Sequence, residues 1–207
     1  MAQPELGRVA IRIEAPARQL PMRVRPAAPM SDDELFELCA SNRDLRVERT
    51  PEGELIFMSP TGGEAGRRNF GLIGQLAGWV ARVGGGVGFD SSTGFLLPNG
   101  AERAPDAAWV RSDRWEALTT EQRRKLVPFC PDFVVELRSP SDSVSELVTK
   151  MEEYRACGAR LGWLIDVDGR RVLVFRPGRE TEVVDGADEI SGEPEMPGLK
   201  VDLAALR

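Results

Sequence analysis

The sequence predicts a mixed α/β fold of the α+β kind, with an antiparallel-rich sheet and one parallel crossover. Three observations carry that expectation. Short stretches of alternating apolar and polar residues are joined by turn dipeptides such as Asn99-Gly100 and Asp168-Gly169, the pattern of hairpins. Two longer stretches, Leu72 to Val83 and Val144 to Met151, repeat apolar residues at helical spacing. Residues 131–167 read as strand, loop, helix and strand in succession, which is how parallel neighbours are connected.

Residues 1–30 carry several prolines and arginines, with VAIRIEA as a short strand and PAAPM as a linker. They are expected to form an N-terminal arm ahead of a single domain over residues 31–207. Ser31 is placed to cap a helix through DDELFELCASN, whose Leu35, Phe36, Leu38 and Cys39 make one core face. LRVERTPEGELIFMSP reads as a hairpin around Pro51, Glu52 and Gly53. Glu48 and Glu54 are expected on its solvated side, with Glu48 also able to look into a site.

The glycine-rich start of TGGEAGRRNFGLIGQLAGWVARVGGG turns helical, with Leu72, Ile73, Leu76, Trp79, Val80 and Val83 on the core side. It lacks the GK[ST] ending of a phosphate-binding loop, so nucleotide binding is discounted there. After the Asn99-Gly100 turn the second strand is expected to begin at APDAAWV, which places Asp106 where a strand enters the sheet. DRWEALTTEQRRKLVPFC is polar and helical, and its Arg123, Arg124 and Lys125 form a solvated basic run.

In PDFVVEL the two-residue period puts Phe133, Val135 and Leu137 on one face, and Val134, Glu136 and Arg138 on the other. Glu136 is a carboxylate inside a hydrophobic strand, where an unpaired charge is costly. Ser143 with Glu146 reads as a capping box opening a helix, and Val144, Leu147, Val148 and Met151 give that helix its core stripe. Lys150 lies on the flank of the stripe, able to bury its stem and reach a neighbouring strand. Gly158 closes the helix, LGWLIDV reads as a strand covered on both faces, and VDGRRVLVFRPG as a hairpin. The remaining segment contains short strand-like pieces and an apolar tail expected to dock on the body. No internal repeat is present.

The chain has 207 residues, 42% of them hydrophobic and 29% charged, with a formal net charge of −6. That is the composition of an ordinary globular protein. It argues against broad non-specific nucleic-acid affinity, while allowing a local basic groove. No apolar run approaches a membrane span, and a cytoplasmic location is expected. Cys39, Cys130 and Cys157 are odd in number and have no CxxC spacing, which suggests neither a disulfide framework nor a zinc site. The chain contains no histidine, which excludes Ser-His-Asp and Cys-His catalysis and any histidine base or ligand. Carboxylates, lysines, hydroxyls and metal ions remain.

The order PDAAWV, PDFVVELRSPSD, a helical Lys150 followed by EYRACGARLGWLID, and VLVFRPG resembles the Uma-type restriction endonuclease family of the PD-(D/E)XK nuclease superfamily. The resemblance runs from about residue 31 to the end and is most specific over residues 105–176. It implies a restriction endonuclease-like core, a mixed central sheet flanked by helices. It also implies Mg2+ or Mn2+ held by Asp106 and Glu136, with a lysine near the scissile phosphate. The superfamily's usual lysine position, two residues after the glutamate, holds Arg138 here. Arginine stays protonated and is a poor base, although it stabilises developing negative charge. The Uma-type pattern carries a lysine in the following helix, and Lys150 matches it. Lys150 is therefore taken as the functional cation, and Arg138 as its assistant or as a structural partner of Glu136. Some superfamily members add a metal ligand from a helix, a part that falls to Glu64. The implied activity is endonucleolytic hydrolysis of DNA phosphodiester bonds. The implied partners are DNA and further copies of the chain, as a homodimer or higher homo-oligomer.

Two other readings compete. One is a nuclease-fold module that binds nucleic acid or protein without cleaving, for which Arg138 and the acidic charge speak. The other is a metal-free glycosidase-like carboxylate pair. With 6% aromatic residues the chain offers little for a sugar platform.

Overall fold

The computed structural model describes residues 21–42, 45–58 and 61–207. VAIRIEA lies outside the described residues. Strand β1 (Met22–Val24) and helix α1 (Asp32–Ser41) come first. Ser31 caps α1 with a complete capping box, its hydroxyl accepting from the Glu34 amide while the Glu34 carboxylate accepts from the Ser31 amide. The expected hairpin follows as β2 (Arg46–Arg49) and β3 (Leu55–Met58), and β3 also pairs with β1. Leu35 and Leu38 of α1 close a small core against Val47, Leu55 and Phe57.

Helix α2 (Gly63–Val83) buries Leu72, Leu76 and Trp79. Val83, expected on the same stripe, is 52% exposed, because it sits in the last turn of the helix. Strand β4 (Gly86–Asp90) then leads to the hairpin β5 (Phe95–Leu96) and β6 (Glu102–Arg103), with Gly100 in the left-handed region that its turn requires. The second hairpin strand is thus β6, not APDAAWV. The latter forms β7 (Ala107–Arg111) in a different sheet, and the chain changes sheets between Ala104 and Asp106. The polar stretch after it makes only the short α3 (Ser112–Glu116) and one 3-10 turn.

The crossover expected at residues 131–167 is present as β8 (Phe133–Leu137), α4 (Val144–Ala156) and β9 (Leu161–Asp166), with β8 and β9 parallel. Ser143 caps α4 through the Glu146 amide. The return half of that box is absent, because the Glu146 carboxylate pairs with Arg23 instead. Gly158, at a φ of 108°, ends the helix. Strand β10 (Arg171–Phe175) makes the expected hairpin with β9, and β11 (Glu182–Asp185) extends it. A last hairpin, β12 (Glu189–Ser191) with β13 (Lys200–Asp202), precedes a tail that buries Leu203 and Leu206.

These strands form two larger sheets. A mixed sheet in the order β11-β10-β9-β8-β7-β4 has α2 on one face and α4 on the other, and only the β8–β9 pair is parallel. The alternation along β8 explains the two cores. Phe133, Val135 and Leu137 pack with Leu72, Leu76 and Trp79 of α2, while Val134 packs with Met151 and Tyr154 of α4. A smaller antiparallel sheet, β1-β3-β2-β6-β5, carries α1.

Candidate active site

A cleft of about 1020 Å3 is lined by both sheets, the start of α2 and the first half of α4. Asp106 reaches it because β7 pairs with β8 only as far as Ala107 and Val135. One residue before that pair, the Asp106 carboxylate takes the place of a strand partner, its Oδ2 accepting the Leu137 amide at 2.8 Å. Its Oδ1 has only longer bonds, from Asn69 Nδ2 at 3.3 Å and Arg46 Nη1 at 3.4 Å.

Glu136 stands on the α4 face of β8 and is 4% exposed. Its Oε1 accepts from Lys150 Nζ at 2.7 Å and from the Tyr154 hydroxyl at 3.1 Å. Met151 and Tyr154 anchor α4 on the sheet, which leaves the preceding Lys150 at the edge of the packed face, as its flank position requires. Burial pushes the Glu136 carboxyl up to about 7; Lys150 opposes this, and the Asp106 and Glu48 carboxylates add to it. For Lys150, burial works against the charge, but Glu136 and Glu48 outweigh it and hold the ammonium protonated above its ordinary range.

The structure therefore brings Asp106, Glu136 and Lys150 together. Arg138 and Glu64 line the same cleft with other partners. Arg138, just past the end of β8, donates to Asp166 Oδ2 at 2.7 Å rather than to Glu136. Glu64, in the first turn of α2, is exposed and paired with Arg67 at 2.7 Å and Arg68 at 3.2 Å.

Glu48, expected on the solvated side of its hairpin or looking into a site, does the second: it is 3% exposed and lines the cleft. Its Oε1 accepts from Lys150 Nζ at 2.7 Å and from the Ala104 amide at 3.1 Å, and its Oε2 from Arg103 Nη1 at 3.2 Å. Burial alone would raise its pKa, but Lys150 and then Arg103 more than offset that and hold it low. Its only sequence signal was alternation: in β2 it shares a face with Arg46, which also points into the cleft. Tyr154 was missed as a site residue, since a tyrosine on an amphipathic helix reads as packing.

The donor set can be tested against a metal ion. Among the described residues no three acidic, cysteine or histidine groups converge as a metal cluster. Two carboxylates suffice for Mg2+ or Mn2+, which keep several waters and take further oxygens from a phosphate. Asp106 Oδ1 is only loosely bonded, and beside it Asn69 Oδ1 is buried with no partner. Oxygen donors with spare capacity suit a hard cation and not a thiophilic one. Asp106, with Asn69 beside it, has the donor chemistry that such an ion takes.

Comparisons with known proteins bear on the family and the fold. A family model described as Uma2, putative restriction endonuclease, matches residues 32–204. The crystal structure of a protein from Anabaena variabilis, described as a putative nuclease belonging to DUF820, has the same fold, with a TM-score of 0.69. The two chains are 20% identical, and the alignment covers 86% of this chain and 97% of that one. A comparison with curated proteins finds no match.

Proposed function

This chain belongs to the Uma2 family, and we propose that it is a divalent-metal-dependent endonuclease that hydrolyses phosphodiester bonds of DNA. The observation that carries the reading is the convergence of Asp106, Glu136 and Lys150 in one cleft from β7, β8 and α4. Asp106 and Glu136 would hold Mg2+ or Mn2+. Bound there, the ion supplies Lewis acidity, neutralising charge on the phosphate and lowering the pKa of a water.

The chain's own groups do the rest. The Leu137 amide fixes one Asp106 oxygen and turns the other to the cleft. Tyr154 fixes the Glu136 carboxylate from the core side. Lys150 presents an ammonium to an anionic transition state, held at the cleft by Glu136 and Glu48. Arg138, tied to Asp166, offers a second fixed positive charge at the cleft. Glu64 at the mouth is the further carboxylate from which an additional metal contact would come. Acidic side chains outnumber basic ones along the cleft, so a phosphate entering it needs the compensating cation.

A homo-oligomer belongs to this reading, and its support is the outward face of α2. Opposite the buried Leu72, Leu76 and Trp79, helical spacing places Gly63, Gly66, Arg67, Phe70, Gly74, Ala77, Gly78 and Ala81, and Phe70 is 82% exposed. The residues match in pairs about Leu72, Phe70 with Gly74, Arg67 with Ala77, and Gly66 with Gly78. A second α2 packed antiparallel across a two-fold axis would set Phe70 against Gly74 and Arg67 against Ala77, with Gly66 and Gly78 facing each other. In this reading residues 1–30 are an arm whose Met22–Val24 adds a strand to the small sheet, ahead of the domain at residues 31–207. Among the described residues no helix is long and apolar enough to cross a membrane, and the proposed place of action is the cytoplasm.

The direct test is nicking of supercoiled plasmid with Mg2+, Mn2+ or EDTA, beside Asp106→Ala. Cleavage is expected only with metal and is expected to fall by about 10²- to 10³-fold in the variant, the size of a lost transition-state contact. A second reading, a binding module without cleavage, is favoured by one observation, the direct bond of Lys150 to a proposed ligand oxygen of Glu136. It predicts DNA binding with no cleavage in any metal.

A further inference from the structure

Lys150 is held from two sides. Its Nζ lies 2.7 Å from Glu136 Oε1 and 2.7 Å from Glu48 Oε1, and these two acids belong to different sheets. The Glu48 side is braced independently of Glu136. Arg103 donates to Glu48 Oε2 at 3.2 Å and, through Nε, to Glu153 Oε2 at 2.5 Å. Asn99 donates to the other oxygen of Glu153 at 2.9 Å. Glu153 is three residues beyond Lys150 on α4, so the two face the small sheet together. The result is a closed ring of α4, β2 and β6 through Lys150, Glu48, Arg103 and Glu153. It is buried enough to be rigid, with side chains of Glu48, Arg103, Glu153 and Lys150 exposed by 4%, 9%, 13% and 14%.

A carboxylate that takes up a divalent cation has less to offer an ammonium, and the two cations repel. A lysine stem has four flexible bonds, and the free side chain regains their entropy by leaving for solvent. Something else must hold it at the cleft. We infer that Glu48 is the positioning residue for Lys150: it keeps the ammonium in the cleft when Glu136 turns to a metal ion. The metal step rests on the proposed nuclease function, whereas the tether stands on the ring geometry alone. Glu48 is not thereby a metal ligand, since each of its oxygens is already engaged by Lys150, Ala104 or Arg103.

The experiment is amine labelling of Lys150 followed by mass spectrometry, in wild type, Glu136→Gln, Glu48→Gln and the double variant, each checked for folding by circular dichroism. Glu136→Gln removes the carboxylate charge that faces Lys150, as metal uptake would neutralise it, without metal or DNA. Lys150 is expected to stay protected in it and to label about tenfold faster or more in the double variant, the size of one lost charge-assisted hydrogen bond. In the metal arm, Mg2+ is expected to leave wild-type Lys150 protected and to expose it in Glu48→Gln. With plasmid substrate, Glu48→Gln is expected to lower kcat by about 10²-fold with little change in KM and to keep Mg2+ affinity by calorimetry. Labelling of Lys150 in Glu136→Gln as fast as in the double variant overturns the inference, and that arm still decides if Glu48→Gln does not fold. Loss of Mg2+ affinity in Glu48→Gln overturns it too, by making Glu48 a ligand. A wild type that neither binds Mg2+ nor cleaves removes the nuclease reading, while the metal-free variants still judge the tether.

Discussion

Glu102 shows at the scale of one residue how burial decides charge in this molecule. It is 2% exposed, and its Oε2 has no hydrogen-bond partner. Arg49, opposite it in the β2–β6 register, is committed elsewhere, to Asp32 and to the Met30 and Gly100 carbonyls. Burial first, and the Glu48 carboxylate second, push its carboxyl up to about 8 from a model-peptide value of 4.5. Since its pKa is raised by folding, its contribution to stability is complete below the unfolded value and is lost as pH rises through about 8. Glu136 titrates in the same sense, so only part of the slope belongs to Glu102. Glu102→Gln is expected to flatten the fall in stability toward alkaline pH, and to be the more stable protein at about pH 9. Urea midpoints measured across that range check it. A difference between variant and wild type that does not vary with pH would show that Glu102 does not titrate there.

At the scale of elements, the edge of the main sheet depends on one glycine. A Cβ on Gly86, at the start of β4, would come within 2.3 Å of the Val110 carbonyl oxygen and of the Trp109 ring. Neither can yield cheaply. Val110 O is backbone of β7, and Trp109 packs edge-on against Trp79 of α2 at 5.6 Å between ring centroids. Gly86→Ala is expected to cost about 1–3 kcal/mol by overpacking. In a protein of this size that lowers Tm by about 2–4 °C per kcal/mol. Thermal unfolding measures it, and an unchanged Tm would mean that β4 shifts freely at the edge. The strength of an element's own pattern governed how legible it was. α1, α2 and α4 carry apolar stripes, α1 and α4 a serine cap as well, and each formed where its periodicity put it. The strands β5 and β6 are two residues each, too short for a period to show, so nothing in APDAAWV revealed that it belonged to another sheet.

At the scale of the whole molecule, the outward face of α2 is the least ordinary surface. Exposed glycines in a helix interior cost about 1 kcal/mol each relative to alanine. Gly66 and Gly74 have no atom within 4 Å of a Cβ built on them, so packing within the chain does not explain them. Close approach of a second α2, as proposed, would. Phe70→Asp is expected to convert a dimer to a monomer in light scattering, leaving the monomer's thermal stability nearly unchanged because the side chain is 82% exposed. A wild type of monomeric mass at all concentrations would remove the dimer.

The sequence by itself determined the α+β class, the β8–α4–β9 crossover, most of the hairpins, and Asp106, Glu136 and Lys150 as a set. Period, capping and turn chemistry are local, and for those three residues the family resemblance supplied what locality does not. Only the tertiary structure decided that Glu48 is buried beside Lys150 and that Arg138 pairs with Asp166. The physical reason is that an ion pair is a meeting of distant segments. Glu48 lies 102 residues from Lys150, and whether a strand glutamate faces water or an ammonium depends on which sheet closes over it.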